Sequence, residues 1–249
     1  MKKLITLSAS LFLISISVTS CYVNRFDVGK GAQSSTEVRK HNHYFIDGLV
    51  ATKVSNPAQM AVSGNNVYVS NTGGFSAYYD STVSVIDLTT LTETKKIRVG
   101  INPGSIAADS SGNLYVVCTG NYGTVAPSLV KVSLNTGSIV KSVDSAFGTI
   151  RYYNNTLITT GGYLGAANVG IFNTADLAAV RPSFVVDGTT IQNPYGLDID
   201  PATGDLYVDD AKDYVSSGQV YCFDKTGAKK FSFSVSPGIN PTRTLLIQQ

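Results

Sequence analysis

Tryptophan is missing from this chain of 249 residues, and histidine (2), methionine (2) and cysteine (3) are scarce. Both histidines, His41 and His43, come before residue 51. The rest of the chain therefore has no Ser-His-Asp or Cys-His arrangement for nucleophilic catalysis. A His-x-His pair on a strand turns both rings to one face, which is half of a metal site. No third ligand stands near the pair, so it reads as part of a solvated segment. Charge is also low, at 14% of residues with a formal net charge of +2. No basic stripe marks a nucleic-acid partner and no acidic block marks a tail. No Gly-Lys-Ser/Thr loop is present to cradle phosphate.

Glycine (23) and tyrosine (14) are plentiful, and 43% of residues are hydrophobic. That profile fits many short strands joined by tight turns rather than disorder. At the start, Lys2 and Lys3 precede an apolar stretch from Leu4 to Val18, too short to read well as a membrane span. Val18-Thr19-Ser20-Cys21 then resembles a bacterial lipobox. Residues 1–20 are expected to be a signal peptide and Cys21 a lipidated N-terminus. Acyl chains there would anchor an exported protein to the membrane, in the periplasm or at the outer membrane, at roughly 0.8 kcal/mol per buried methylene. Cys118 and Cys222 fall at non-equivalent repeat positions and read as unpaired buried thiols.

A repeat of about 46 residues runs through the remainder. Asn-Pro recurs at Asn56-Pro57, Asn102-Pro103, Asn193-Pro194 and Asn240-Pro241, with Phe147-Gly148 in the third place. The first four of these marks are each followed by a β-rich run: Asn65 to Val69, Gly112 to Val116, Asn154 to Ile158 and Gly204 to Val208. A third run follows (Thr82 to Leu88, Leu129 to Leu134, Asn168 to Phe172, Gln219 to Asp224), and a fourth closes the unit, as in Thr94 to Val99. The polar pairs before the second run suit hairpin turns that need positive φ. Four strands in such a span make one propeller blade, and stacked blades bury both sheet faces, so the runs need not alternate. The fold expected is all-β, a β-propeller of four-stranded blades over residues 51–249.

The run Thr82-Val83-Ser84-Val85-Ile86-Asp87 and the segment Ile101-Asn102-Pro103-Gly104-Ser105-Ile106-Ala107 resemble the YVTN/YncE-like propeller family, in particular the lipoproteins of Bacteroidetes that carry such repeats. Members of that family typically have about seven blades. Here four are counted, at roughly 56–100, 101–144, 145–191 and 192–235, plus a partial fifth whose innermost strand is Asn240 to Ile247. Ala51 to Val54 reads as the outermost strand of a preceding blade. The expectation is an open arc with exposed edges that invite self-association, favoured over a four-bladed ring or a ring completed by a second chain. Between them, residues 21–50 form a lipidated linker. Its His41-Asn42-His43-Tyr44-Phe45-Ile46-Asp47-Gly48-Leu49 stretch resembles Bor-type lipoproteins, as though the head of one lipoprotein were joined to the tail of another.

The loops between second and third strands carry the functional signal. They read Asn71 to Asp80, Thr119 to Gly123, Thr160 to Gly165 and Asp209 to Tyr214, and every one holds tyrosine. They share a face with the Asn-Pro marks. Candidate ligand contacts are Tyr78, Tyr79, Tyr122, Tyr163, Tyr214, Asn71, Asn121 and Asp209. Rings with polar tips suit a flat or partly apolar ligand. The competing reading has each tyrosine stiffening its own loop. Adjacent Asp209 and Asp210 face opposite ways and read as loop-edge residues, not an acid/base pair. No catalytic residue or cofactor is assigned, and a non-catalytic binding propeller is expected. The family resemblance implies capture of a corrinoid such as cobalamin for an outer-membrane transporter. The alternatives are a lactonase- or lyase-type enzyme, and a module binding protein or single-stranded DNA, the last disfavoured by the missing basic groove.

Overall fold

A computed structural model describes residues 3–8, 56–73, 78–144, 147–161, 168–236 and 239–247. The expected lipidation site Cys21, the linker 21–50 with its histidines, the Ala51–Val54 strand and Tyr163 lie outside these residues. The described residues are all β-strand, turn and loop. Among them no helix is long and apolar enough to cross a membrane.

Four antiparallel sheets of four strands follow one another along the chain. Blade 1 is β2 (Pro57–Ser63), β3 (Asn66–Asn71), β4 (Thr82–Asp87) and β5 (Thr92–Arg98). Blade 2 is β6 (Pro103–Ala108), β7 (Asn113–Cys118), β8 (Ser128–Ser133) and β9 (Ser138–Asp144). Blade 3 is β10 (Phe147–Tyr153), β11 (Thr156–Gly161), β12 (Val169–Asn173) and the short β13 (Ala179–Arg181). Blade 4 is β14 (Pro194–Ile199), β15 (Leu206–Asp210), β16 (Gln219–Phe223) and β17 (Lys229–Ser234). Strand β18 (Pro241–Ile247) then packs beside β14, as expected for the innermost strand of a fifth blade. Its second-strand partner is β1 (Lys3–Ser8), antiparallel with Lys3 opposite Ile247. That strand comes from the stretch read as a signal peptide, and cleavage ahead of Cys21 would remove it from β18.

The innermost strands stack in the order β2, β6, β10, β14, β18. Apolar side chains fill each seam. Tyr68, Val83 and Val85 of blade 1 meet Ile106, Leu114 and Val130 of blade 2. Tyr115, Val117 and Leu129 meet Ile150 and Leu157 of blade 3, and Ile158 and Val169 meet Leu197, Leu206 and Phe223 of blade 4. Each central strand thus buries both faces, so the sequence shows continuous apolar runs. In blades 2 to 4 the turns have their foreseen geometry: Asn154 and Asn155 sit at φ 46° and 59°, and Gly112 and Gly204 at 81° and 75°; in blade 1 the positive φ falls instead on Gly64 (57°), just ahead of the Asn65-Asn66 pair. Cys118 and Cys222 are free and buried. Burial pushes the Cys118 thiol up to about 12, so it is an inert packing group.

Candidate binding face

The Asn-Pro marks are clamps. Asn56 and Asn102 hold φ at 52° and 58°, a left-handed conformation that asparagine adopts more readily than most residues. The mark's carbonyl accepts the N–H at the start of the loop between second and third strands: Thr72 to Asn56 (3.1 Å), Thr119 to Asn102 (3.1 Å) and Ala211 to Asn193 (3.0 Å). In blades 1, 2 and 4 the loop is thus tied to the start of its own innermost strand, which gathers these loops and marks on one face.

Within the loops the polar groups serve the loops themselves. Asp80 accepts from Ser81 N at 2.6 Å and from Thr82 Oγ1 at 2.7 Å. Asn121 Oδ1 accepts from Gly123 N and Val125 N, while its Nδ2 donates to Thr124 Oγ1. Asp213 accepts from Ser216 N, Ser216 Oγ and Val215 N, and these bonds hold its carboxyl at about 2. The tyrosine rings stay outside. Tyr78 is 86% exposed, Tyr122 59% and Tyr214 53%.

The rings pair. Tyr79 and Tyr122 bring the loops of blades 1 and 2 together edge to face, centroids 6.3 Å apart. Asn102 Nδ2 donates to the Tyr122 hydroxyl at 3.4 Å. Tyr214 pairs with Tyr195 at 5.7 Å and 89°, and the fifth mark's Asn240 Nδ2 donates to the Tyr214 carbonyl. Tyr122 and Tyr214 occupy positive φ, 56° and 63°, where bulky side chains are outliers. Two exposed rings are thus held on strained backbone, a pattern that gathers at ligand clamps. Exposed Val125 and Val215 add apolar area in the same two loops.

Tyr195 was missed from sequence. It directly follows the Asn193-Pro194 mark, so the repeat had already placed it at the loop face. Asn71 and Asp209 are not on that face. Asn71 is fully buried and donates to Thr82 Oγ1 and Ser84 Oγ. Asp209 and Asp210 are both buried at the end of β15, which corrects the loop-edge reading. Asp210 accepts N–H groups from Gln192, Asn193 and Lys212 and so folds the loop entry. Among the described residues, no group of three or more His, Cys, Asp or Glu side chains could hold a metal ion.

Residues 21–76 match the Bor protein family, a stretch that runs past residue 50 and through β2 and β3. No curated protein matches the chain. Among solved structures it is similar to hydrazine synthase of Kuenenia stuttgartiensis (TM-score 0.58, 17% identity, covering 78% of this chain and 53% of that one). It is also similar to a quinonprotein alcohol dehydrogenase-like protein of Bacteroides thetaiotaomicron (0.56, 14%, 75% and 47%). A third likeness is to the Cps50 (Swd1) β-propeller domain of Myceliophteria thermophila (0.53, 13%, 75% and 59%). The chain spans about half the length of these structures. At such identities the likeness is one of fold. The protein is a β-propeller of four-stranded blades.

Proposed function

We propose that this protein is a cell-envelope lipoprotein, anchored through acyl chains on Cys21, whose propeller captures an amphipathic small molecule without catalysing a reaction. The observation that carries this reading is the tyrosine face: two exposed ring pairs on the loop side of the blades, with the neighbouring carboxylates bonded within their own loops. Such a face offers stacking area and hydroxyl groups with little fixed charge, which suits a large ligand that is partly apolar. The Bor match over residues 21–76 supports the envelope assignment. The YVTN/YncE resemblance supports a corrinoid as first candidate, to be handed to an outer-membrane transporter.

The test is co-elution. The protein from Cys21 onward is passed over a sizing column with light scattering, with and without cobalamin. Visible absorbance travelling with a homogeneous species, and lost in a Tyr122→Ala, Tyr214→Ala double variant, supports the reading. A well-folded species that passes cobalamin by rejects the corrinoid. Polydisperse aggregates reject an autonomous binding arc. Metabolic labelling with a fatty acid, abolished by Cys21→Ser, tests the anchor.

A further inference from the structure

Neighbouring blades are fastened by side chains that repeat at blade spacing. Thr149 Oγ1 donates to the Tyr195 carbonyl, Ile150 N to Ser105 Oγ, and Arg151 Nε and Nη2 to Asp198 Oδ1, with the partners 45 to 47 residues apart. At the first seam Ser70 Oγ donates at 2.6 Å to the carbonyl of Gly104, the residue after Pro103.

The last seam has the same frame and different chemistry. Asn71 lies opposite Pro57 in blade 1, and Asp210 lies opposite Pro194 in blade 4. The residues just before them, Ser70 and Asp209, are therefore equivalent. Thr242 follows Pro241 as Gly104 follows Pro103, so the Thr242 carbonyl on β18 stands where Ser70's acceptor stands. A carboxyl group has replaced the hydroxyl. Asp209 Oδ1 accepts from Thr244 Oγ1 at 2.9 Å, but Oδ2 is buried and has no hydrogen-bond partner. Nor is it far from the expected acceptor. A Cβ added at Gly196 would collide with Asp209 Oδ2 and would stand 2.5 Å from the Thr242 carbonyl oxygen. Two acceptor oxygens crowd one point above a glycine with no donor between them.

The charges around this point do not supply one. Asp198 on β14 adds negative charge, and its Oδ2 accepts the Thr244 N–H. Arg151 on β10 faces the site, but its guanidinium is engaged by Asp198 Oδ1 at 3.2 Å. Strand β16 places Val220 opposite Asp209, and β18 contributes Thr244, with exposed Arg243 next to it. Asp210, next on β15, is turned into the loop entry.

We propose that Asp209 carries a proton, and that its Oδ2–H closes the last seam onto the Thr242 carbonyl as Ser70 closes the first onto Gly104, so that β18 docks on blade 4 in an acid-dependent way. Burial lifts the Asp209 carboxyl to about 6, outweighing the Thr244 bond that lowers it. The sign follows. A carboxyl raised in the folded state contributes fully below its unfolded value near 4, and the contribution is lost as pH rises through about 6. Between pH 5 and pH 8 the opening equilibrium of β18 should rise about tenfold.

The experiment uses the full chain in detergent and compares wild type with Asp209→Asn, whose amide donates at every pH, and Asp209→Ser, which restores the repeat's hydroxyl. Amide exchange of Arg243 to Leu246, corrected for intrinsic base catalysis, reports β18 docking. The expected result is a roughly tenfold loss of protection in wild type from pH 5 to pH 8, and a flat profile in both variants. Parallel profiles in all three chains would overturn the proposal. Should neither variant fold, a carboxyl 13C titration of wild-type Asp209 decides: a midpoint near 6 supports the proposal, and one near 4 rejects it.

Discussion

Blades 2 and 4 run their second strands through the same frame and end them differently. Strand β7 carries Leu114-Tyr115-Val116 where β15 carries Leu206-Tyr207-Val208, all buried and all in equivalent places. Beyond that point β7 continues with Val117 and Cys118, while β15 ends in Asp209 and Asp210. The shared half shows what a blade requires, apolar volume on both faces. The divergent half shows what it tolerates, a buried carboxylate where donors converge on it. Asp210 meets that condition with three N–H groups.

If the shared half is equivalent, breaking it should cost the same in both blades. Leu114→Ala and Leu206→Ala each remove a fully buried side chain and should lower stability by about 3–5 kcal/mol, within about 1 kcal/mol of each other, in urea unfolding. A wide gap would mean that the blades unfold as separate units. In the divergent half the effects should part. Asp210→Ala strands three N–H donors in the loop entry and should cost about 2–3 kcal/mol. Cys118→Ala, at the matching place, removes only a small buried thiol and should cost about 1 kcal/mol.

The shared tyrosines sharpen the contrast further. The Tyr115 hydroxyl donates to Asp109 Oδ2 at 2.8 Å, whereas that of Tyr207 meets the Cys222 thiol. Burial alone would raise Asp109, but bonds from Asn113, Tyr115 and Ser111 hold it below the usual carboxylate value. Its stabilisation is therefore present above the unfolded value near 4 and fades as pH falls below that. Tyr115→Phe should cost about 1–2 kcal/mol at pH 7 and less once acid below the ordinary carboxylate range has protonated Asp109, since the neutral carboxyl is a weaker acceptor. Tyr207→Phe should cost under about 1 kcal/mol at either pH. The reverse order, read by denaturant midpoints at both pH values, would show that packing rather than the charged acceptor sets these positions.

Blade count, strand order and turn geometry were legible in sequence because each rests on local chemistry repeated at fixed spacing: Asn-Pro before an innermost strand, Gly or Asn where φ is positive. The tyrosine loops were legible for the same reason. What stayed hidden lies between repeats. Nothing local distinguishes Asp209, buried against β18, from an aspartate at a loop edge. Its environment is set by Thr242 and Thr244, over thirty residues away. The pairing of Tyr195 with Tyr214 leaves no mark in the loop sequences, because it joins an innermost strand to a loop. The bond from β1 to β18 joins the two ends of the chain and leaves no local pattern at all.

The smallest expected stability change bears most on function. Tyr122 and Tyr214 sit in left-handed backbone with rings more than half exposed. If their purpose were to stiffen their own loops, removing the rings should destabilise the protein. If the rings serve a ligand, the backbone strain is a cost borne for binding, and glycine, which adopts positive φ freely, should relieve it. Tyr122→Gly is then expected to leave stability unchanged or to raise it by up to about 1 kcal/mol, while weakening capture on the face. Tyr79, its edge-to-face partner, serves as the control. It is not among the positive-φ residues, so Tyr79→Gly should bring no such gain in stability and a similar loss of capture. Thermal unfolding and ligand co-elution on the two variants separate the readings. A fall in stability with Tyr122→Gly would assign the ring to the loop, and a rise accompanied by lost binding would assign it to the ligand.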